Sequence, residues 1–165
     1  MNLRRFWRHV LMNPLIARRA FPPATMDAIA KEVAAQEKRH RGELRFIVEP
    51  ELSTGHLWRG VGSRDRAREL FAQHGVWNTE ENTGVLIYVG LADRRVEILA
   101  DRGITARVPE EHWNAICHSM DAHFRERRFE EGAIAGIRAV SDELARHFPA
   151  RGDNANELSD RPLMI

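Results

Sequence analysis

The chain has a single cysteine, Cys117, among 165 residues. An internal disulfide framework and a multi-thiolate zinc site are therefore both excluded. No uninterrupted run of about 18 apolar residues occurs, so no helix is expected to cross a bilayer. The net charge is only +1, too small for a protein whose whole surface engages nucleic acid. What is present is ordinary for a soluble globular chain: 43% hydrophobic and 30% charged residues, in a length suited to one domain with one continuous core.

Acidic residues are also missing locally. Residues 1–26 hold no Asp or Glu, yet they carry Arg4, Arg5, Arg8, Arg18 and Arg19 beside Trp7. A secretory signal would need an apolar stretch of about 7–15 residues and a small-residue cleavage site. Here the stretch from Val10 to Ala17 is interrupted by Asn13-Pro14 and closed by Arg18-Arg19. Residues 1–22 therefore read as an uncleaved basic arm, 23–150 as an α/β domain and 151–165 as a polar tail. The arm mixes arginine with Phe6, Trp7, Leu11, Leu15 and Ile16, which suits an anionic membrane surface or a membrane-protein partner. Nonspecific contact with nucleic acid fits the same composition, specific recognition does not, and a terminus without a role is the plain alternative.

Within the domain, Met26, Ile29, Ala30 and Val33 recur at helical spacing after Pro22-Pro23, predicting a helix over 24–40. Leu44–Val48 alternates as a strand ended by Pro50. A glycine-containing loop follows, with a short extended piece expected around Leu57-Trp58. Ser63 is a suitable N-cap for a helix near 64–74 that Gly75 would end. Val85-Leu86-Ile87-Tyr88-Val89 is the strongest strand signal, and its continuous apolar run suits a central strand covered on both faces. Ala92-Asp93 makes a turn into a strand over Val96–Ala100. Two helical stripes follow, Trp113/Ile116/Cys117/Met120/Phe124 and Ile134/Ile137/Val140/Leu144/Phe148. The order α-β-α-β-β-α-α implies a right-handed parallel crossover and then an antiparallel hairpin: an α/β fold with helices on both sides of a small mixed sheet.

A two-residue turn at Ala92-Asp93 fixes the hairpin register. Leu91 then faces Arg94, Gly84 faces Asp101, and Asn82 faces Gly103. Glu80, Glu81, Asn82, Thr83, Asp101 and Glu110 are thereby expected to converge on one edge of the sheet. A hard cation such as calcium takes six to eight oxygen ligands, and this edge offers oxygens and few soft atoms. Gly84 and Gly103 would let backbone approach a ligand, and Arg102 could hold an anion or neutralise the cluster. The same residue types also serve ordinary turns and caps.

The stretch RARELFAQHGVWNTEENTGVLIYVGLADRRVEILADRGI at 66–104, the VPEE turn at 108–111 and HFRERRFEEGAIAGI at 123–137 resemble the TPM domain family, known from thylakoid proteins linked to photosystem II repair and from many bacterial proteins. The resemblance implies an α/β sandwich on a mixed four-stranded sheet, with divalent-cation binding in some members. Where the family pattern has Asp-Asn-Gly, this chain has Asn82-Thr83-Gly84; where it has Pro-Asp, this chain has Pro109-Glu110. The first exchange removes a formal charge that Glu80 or Glu81 could restore. Metal ligands expected on this basis are Asn82, Asp101, Glu110, Glu81 and Thr83, with Arg102, Gly84 and Gly103 lining the pocket.

The resulting expectation is a non-enzymatic binding or accessory module holding calcium or another divalent cation, with no organic cofactor. It would assist a membrane-associated partner from the cytoplasm, or peripherally at the cytoplasmic face. Weak acid phosphatase activity at the same edge, also attributed to the family, is the alternative. It has little sequence support: Cys117 lacks an arginine at thiol-phosphatase spacing, and no Asp-x-Asp pair occurs. The histidines lack metal spacing; His118 and His123 lie about 140° apart around a helix and read as surface residues. Cys117 and Trp113 read as core, and Trp58 as exposed.

Overall fold

The computed structural model describes residues 3–152 and 156–165. In chain order the elements are α1 (Leu3–Val10), α2 (Pro14–Ala20), α3 (Pro23–Gln36) running into one 3-10 turn, β1 (Glu43–Glu49), α4 (Thr54–Trp58) and α5 (Ser63–Gln73). Then follow β2 (Gly84–Gly90), β3 (Arg95–Ala100), α6 (Arg102–Thr105), α7 (Glu110–Arg125), α8 (Phe129–His147) and β4 (Leu163–Met164). One sheet has the order β3-β2-β1-β4, with β1 parallel to β2 and β4 and antiparallel pairing between β2 and β3.

Alternation along the strands divides the core into two. Leu44, Phe46, Val48, Val85, Ile87, Val89, Val96 and Ile98 face α3, α7 and α8 and form the larger part. Ile47, Leu86 and Tyr88 face the other way, onto Ala67 and Leu70 of α5 and onto Val76. Every residue of β2 is buried, so the uninterrupted apolar run is explained by cover on both faces. Trp113, Ile137, Val140 and Leu144 are buried as the helical stripes predict.

Several local expectations need correction. The segment around Leu57-Trp58 is the short helix α4, capped by Ser53, whose hydroxyl accepts the His56 N–H. Gly62, not Ser63, precedes α5 as its cap; the Ser63 hydroxyl instead donates to Glu97 Oε1 at 2.5 Å. His9 and His40 are buried, at 4% and 0% exposure, because each side chain is drawn into internal hydrogen bonds. The tail supplies β4: Arg45 donates to the Ser159 and Arg161 carbonyls, and Leu158 N–H donates to Glu43. These contacts cover the β1 edge, which would otherwise leave backbone groups unpaired.

Candidate site at the hairpin edge

The hairpin turns where expected, with Arg94 N–H donating to the Leu91 carbonyl at 3.1 Å. Arg94 itself sits in the left-handed region at φ 53° while Ala92 and Asp93 do not, so the register is the expected one but the turn is not of the primed two-residue type. From there the register runs Gly90↔Arg95 through Val85↔Ala100. Beyond the strands it continues as inferred: Asp101 N–H donates to Gly84 O at 2.9 Å, and Gly103 N–H donates to Asn82 O at 3.1 Å. Two glycines make this closeness possible. A Cβ on Gly84 would overlap the Val76 carbonyl oxygen, and one on Gly103 would lie 2.6 Å from Asn82 O and 2.7 Å from Glu81 O.

Asn82, Asp101, Arg102 and Gly103 are therefore neighbours. Asn82 holds φ 56°, a conformation that asparagine tolerates better than most residues. Asp101 caps α6, its Oδ1 accepting Arg102 N–H at 2.7 Å. Its Oδ2 is shut off from solvent and has no hydrogen-bond partner among the described residues. A buried carboxylate oxygen left open in this way costs free energy unless something meets it.

The other expected ligands are already engaged. Arg102 Nε donates to Asn82 Oδ1 at 2.9 Å. Glu81 is paired with Arg41. Glu110, at the start of α7, turns to Arg64 at 2.8 Å, and Arg64 also donates to the Ile98 carbonyl. Thr83 points inward, its hydroxyl donating to Arg41 O and its N–H bonded to Thr79. Among the described residues no three acidic, histidine or cysteine side chains stand close enough to hold an ion by themselves. Asp101 Oδ2 fits a hard cation; Asn82, Glu81 and Glu110 fit one only after releasing their arginines. The donor set thus suits a weakly held ion and not a closed cage.

Two features were missed by sequence reasoning. Asp93, read only as a turn residue, is clamped by the N-terminal arm: Arg5 donates to both of its carboxylate oxygens at 2.7 Å, and His9 Nε2 lies 3.1 Å from Oδ1. Leu52 N–H donates to His9 Nδ1 at 3.0 Å, which assigns the ring proton to Nε2 and aims it at Asp93. Burial would raise the Asp93 carboxyl, but the Arg5 and His9 hydrogen bonds outweigh it and hold it well below the usual range. No spacing rule links residues so far apart, although an arm rich in arginine and an acid at a turn was a usable hint.

The second feature is a pocket of about 310 Å³ between β3 and α7, lined by Ser63, Arg95, Glu97, Cys117, His118 and Asp121. Burial pushes the Cys117 thiol up to about 12 and raises the Asp121 carboxyl. The thiol is thus neutral at physiological pH and a poor nucleophile.

A TPM domain model matches residues 18–143. The chain belongs to the TPM domain family. Its fold is similar to the NMR structure of BA42 protein from the psychrophilic bacterium Bizionia argentinensis, with a TM-score of 0.75 and 28% identity over 86% of this chain and 92% of that one. It is also similar to the N-terminal domain of a P. gingivalis protein, with a TM-score of 0.58 and 25% identity over 76% and 77% of the two chains. No curated protein matches it. The TPM domain here runs from the end of the basic arm into α8, and so contains the whole hairpin edge. Among the described residues no helix is long and apolar enough to cross a membrane.

Proposed function

We propose that this TPM domain is a non-enzymatic binding module whose recognition site is the hairpin edge, with Asp101 as the anchor for a divalent cation. The observation that carries the reading is Asp101 Oδ2, buried and without a hydrogen-bond partner among the described residues, two residues before Gly103, which packs closely on the Glu81–Asn82 backbone. Calcium suits it better than magnesium, because the donors are carboxylate, amide and backbone oxygens on a loop that does not impose octahedral geometry. Arg102 is the internal competitor. Its guanidinium holds the Asn82 oxygen, so an ion must displace it, and affinity belongs at the weak end of calcium modules, about 10⁻⁴–10⁻³ M. The neutral Cys117 thiol is consistent with a module that binds and does not catalyse.

Calorimetric titration with calcium and with magnesium tests this. Wild type should show calcium heat, Asp101→Ala should show none while keeping its fold, and Arg102→Ala should bind about tenfold more tightly. The gain corresponds to one charge-assisted hydrogen bond no longer broken on binding. Absence of heat in both wild type and Arg102→Ala would remove the cation. Hydrolysis of p-nitrophenyl phosphate that disappears in Asp101→Asn would replace this reading with a metal-assisted acid phosphatase.

A further inference from the structure

We infer that the outer face of α1 and α2 is a docking surface for an anionic lipid bilayer. Nine large hydrophobic side chains are exposed among the described residues. Six of them lie between residues 3 and 16: Leu3, Trp7, Val10, Leu11, Leu15 and Ile16, each between 49% and 70% exposed. At ~100° per residue, Leu3, Trp7 and Val10 fall within an arc of about 60°. Arg5 and His9 fall on the opposite side of α1 and hold Asp93. The helix is therefore docked by its polar inner face and shows its apolar face outward, the reverse of what burial alone would select.

The charges on this surface name the occupant. Arg4, Arg8, Arg18 and Arg19 are exposed around the apolar stripe, and no acidic residue occurs before Asp27. Among the described residues Arg4, Arg18 and Arg19 have no acidic partner, and Arg8 approaches only Asp93, at 3.9 Å. An apolar stripe containing tryptophan and leucine, flanked by unpaired arginines, matches the boundary between acyl chains and anionic headgroups. The protein core also fixes its position: Ala17, Ala20 and Phe21 are buried beneath α2, so the surface is presented by a folded domain. This inference does not depend on the hairpin-edge reading.

The test is sedimentation of the full chain with vesicles of phosphatidylcholine alone and of phosphatidylcholine mixed with phosphatidylserine. The wild type should pellet only with the mixed vesicles, and less so as salt rises. Trp7→Ala/Leu11→Ala and Arg4→Ser/Arg18→Ser/Arg19→Ser change exposed side chains only, and each should weaken pelleting about tenfold or more. Asp101→Ala should pellet like the wild type, which separates this surface from the hairpin edge. Equal pelleting of wild type and both arm variants would overturn the proposal. So would failure of the wild type to pellet, or a wild-type dimer that Trp7→Ala/Leu11→Ala makes monomeric, since a second copy would then cover the face.

Discussion

Replacing Asp93 by alanine should release α1 from the domain without unfolding it. The Asp93 side chain is 8% exposed and its Arg5 partner 20%, so truncation takes the carboxylate away from the His9 ring and from a largely buried guanidinium, which also donates to the Val61 carbonyl at 2.7 Å. Breaking a buried pair in this way costs ~3–5 kcal/mol, and the residual exposure of Arg5 places the loss at the lower end. About 3 kcal/mol is roughly a hundredfold in a local opening equilibrium. Two backbone contacts remain, Arg5 to the Val61 carbonyl and Leu52 N–H to His9, but His9 is the only buried residue of α1, and a helix of eight residues is not stable alone. Amide hydrogen exchange should therefore accelerate roughly a hundredfold over residues 5–12, with residues 17–21 unchanged because Ala17, Ala20 and Phe21 stay buried. The pH dependence follows from the depressed carboxyl: its contribution is present above the ordinary value near 3.8 and is lost only as pH falls through the lower folded value. Wild-type protection over 5–12 should thus survive acidification to about pH 4. Unchanged exchange over these residues in Asp93→Ala would refute the clamp.

Two further outcomes follow from buried groups. Burial raises Glu37 to about 9 from 4.5, and its side chain shares a hydrogen bond with Asp160 of the tail. The folded state then binds the extra proton, so stability should fall as pH rises between the two values. Glu37→Gln keeps the acceptor for Leu44 N–H, so thermal melts should lose most of that slope between about pH 5 and about pH 8; an unaltered slope would place the titration elsewhere. Gly84→Ala should destabilise by about 3 kcal/mol or more, because its Cβ meets the rigid Val76 carbonyl; chemical denaturation measures this, and a loss below about 1 kcal/mol would mean the 76–84 loop yields.

Much of the fold was legible because its signals are local. The run Val85–Val89, the turn at Ala92-Asp93 and the stripes of α7 and α8 each carry their own periodicity. The register needed only a turn length, which is why Asp101 opposite Gly84 and Asn82 opposite Gly103 could be written down in advance. Legibility ended where long-range pairing of charges began. That Arg102 would take Asn82, Arg41 take Glu81 and Arg64 take Glu110 depends on which arginine the fold brings near each oxygen-bearing side chain, and arginine is abundant throughout. The same holds for Asp93 with Arg5 and His9, 88 and 84 residues apart. The two-residue β4 was hidden because Leu163-Met164 carries too little pattern to announce a strand, and its register is set by Arg45 and Glu43 holding the tail.

The most direct test of the hairpin-edge site is a crystal structure of the wild type soaked in calcium. An ion should lie about 2.3–2.6 Å from Asp101 Oδ2, with Arg102 swung off the Asn82 amide oxygen. Arg102 still bonded to Asn82, with the ion absent or bound on another face, would contradict the account.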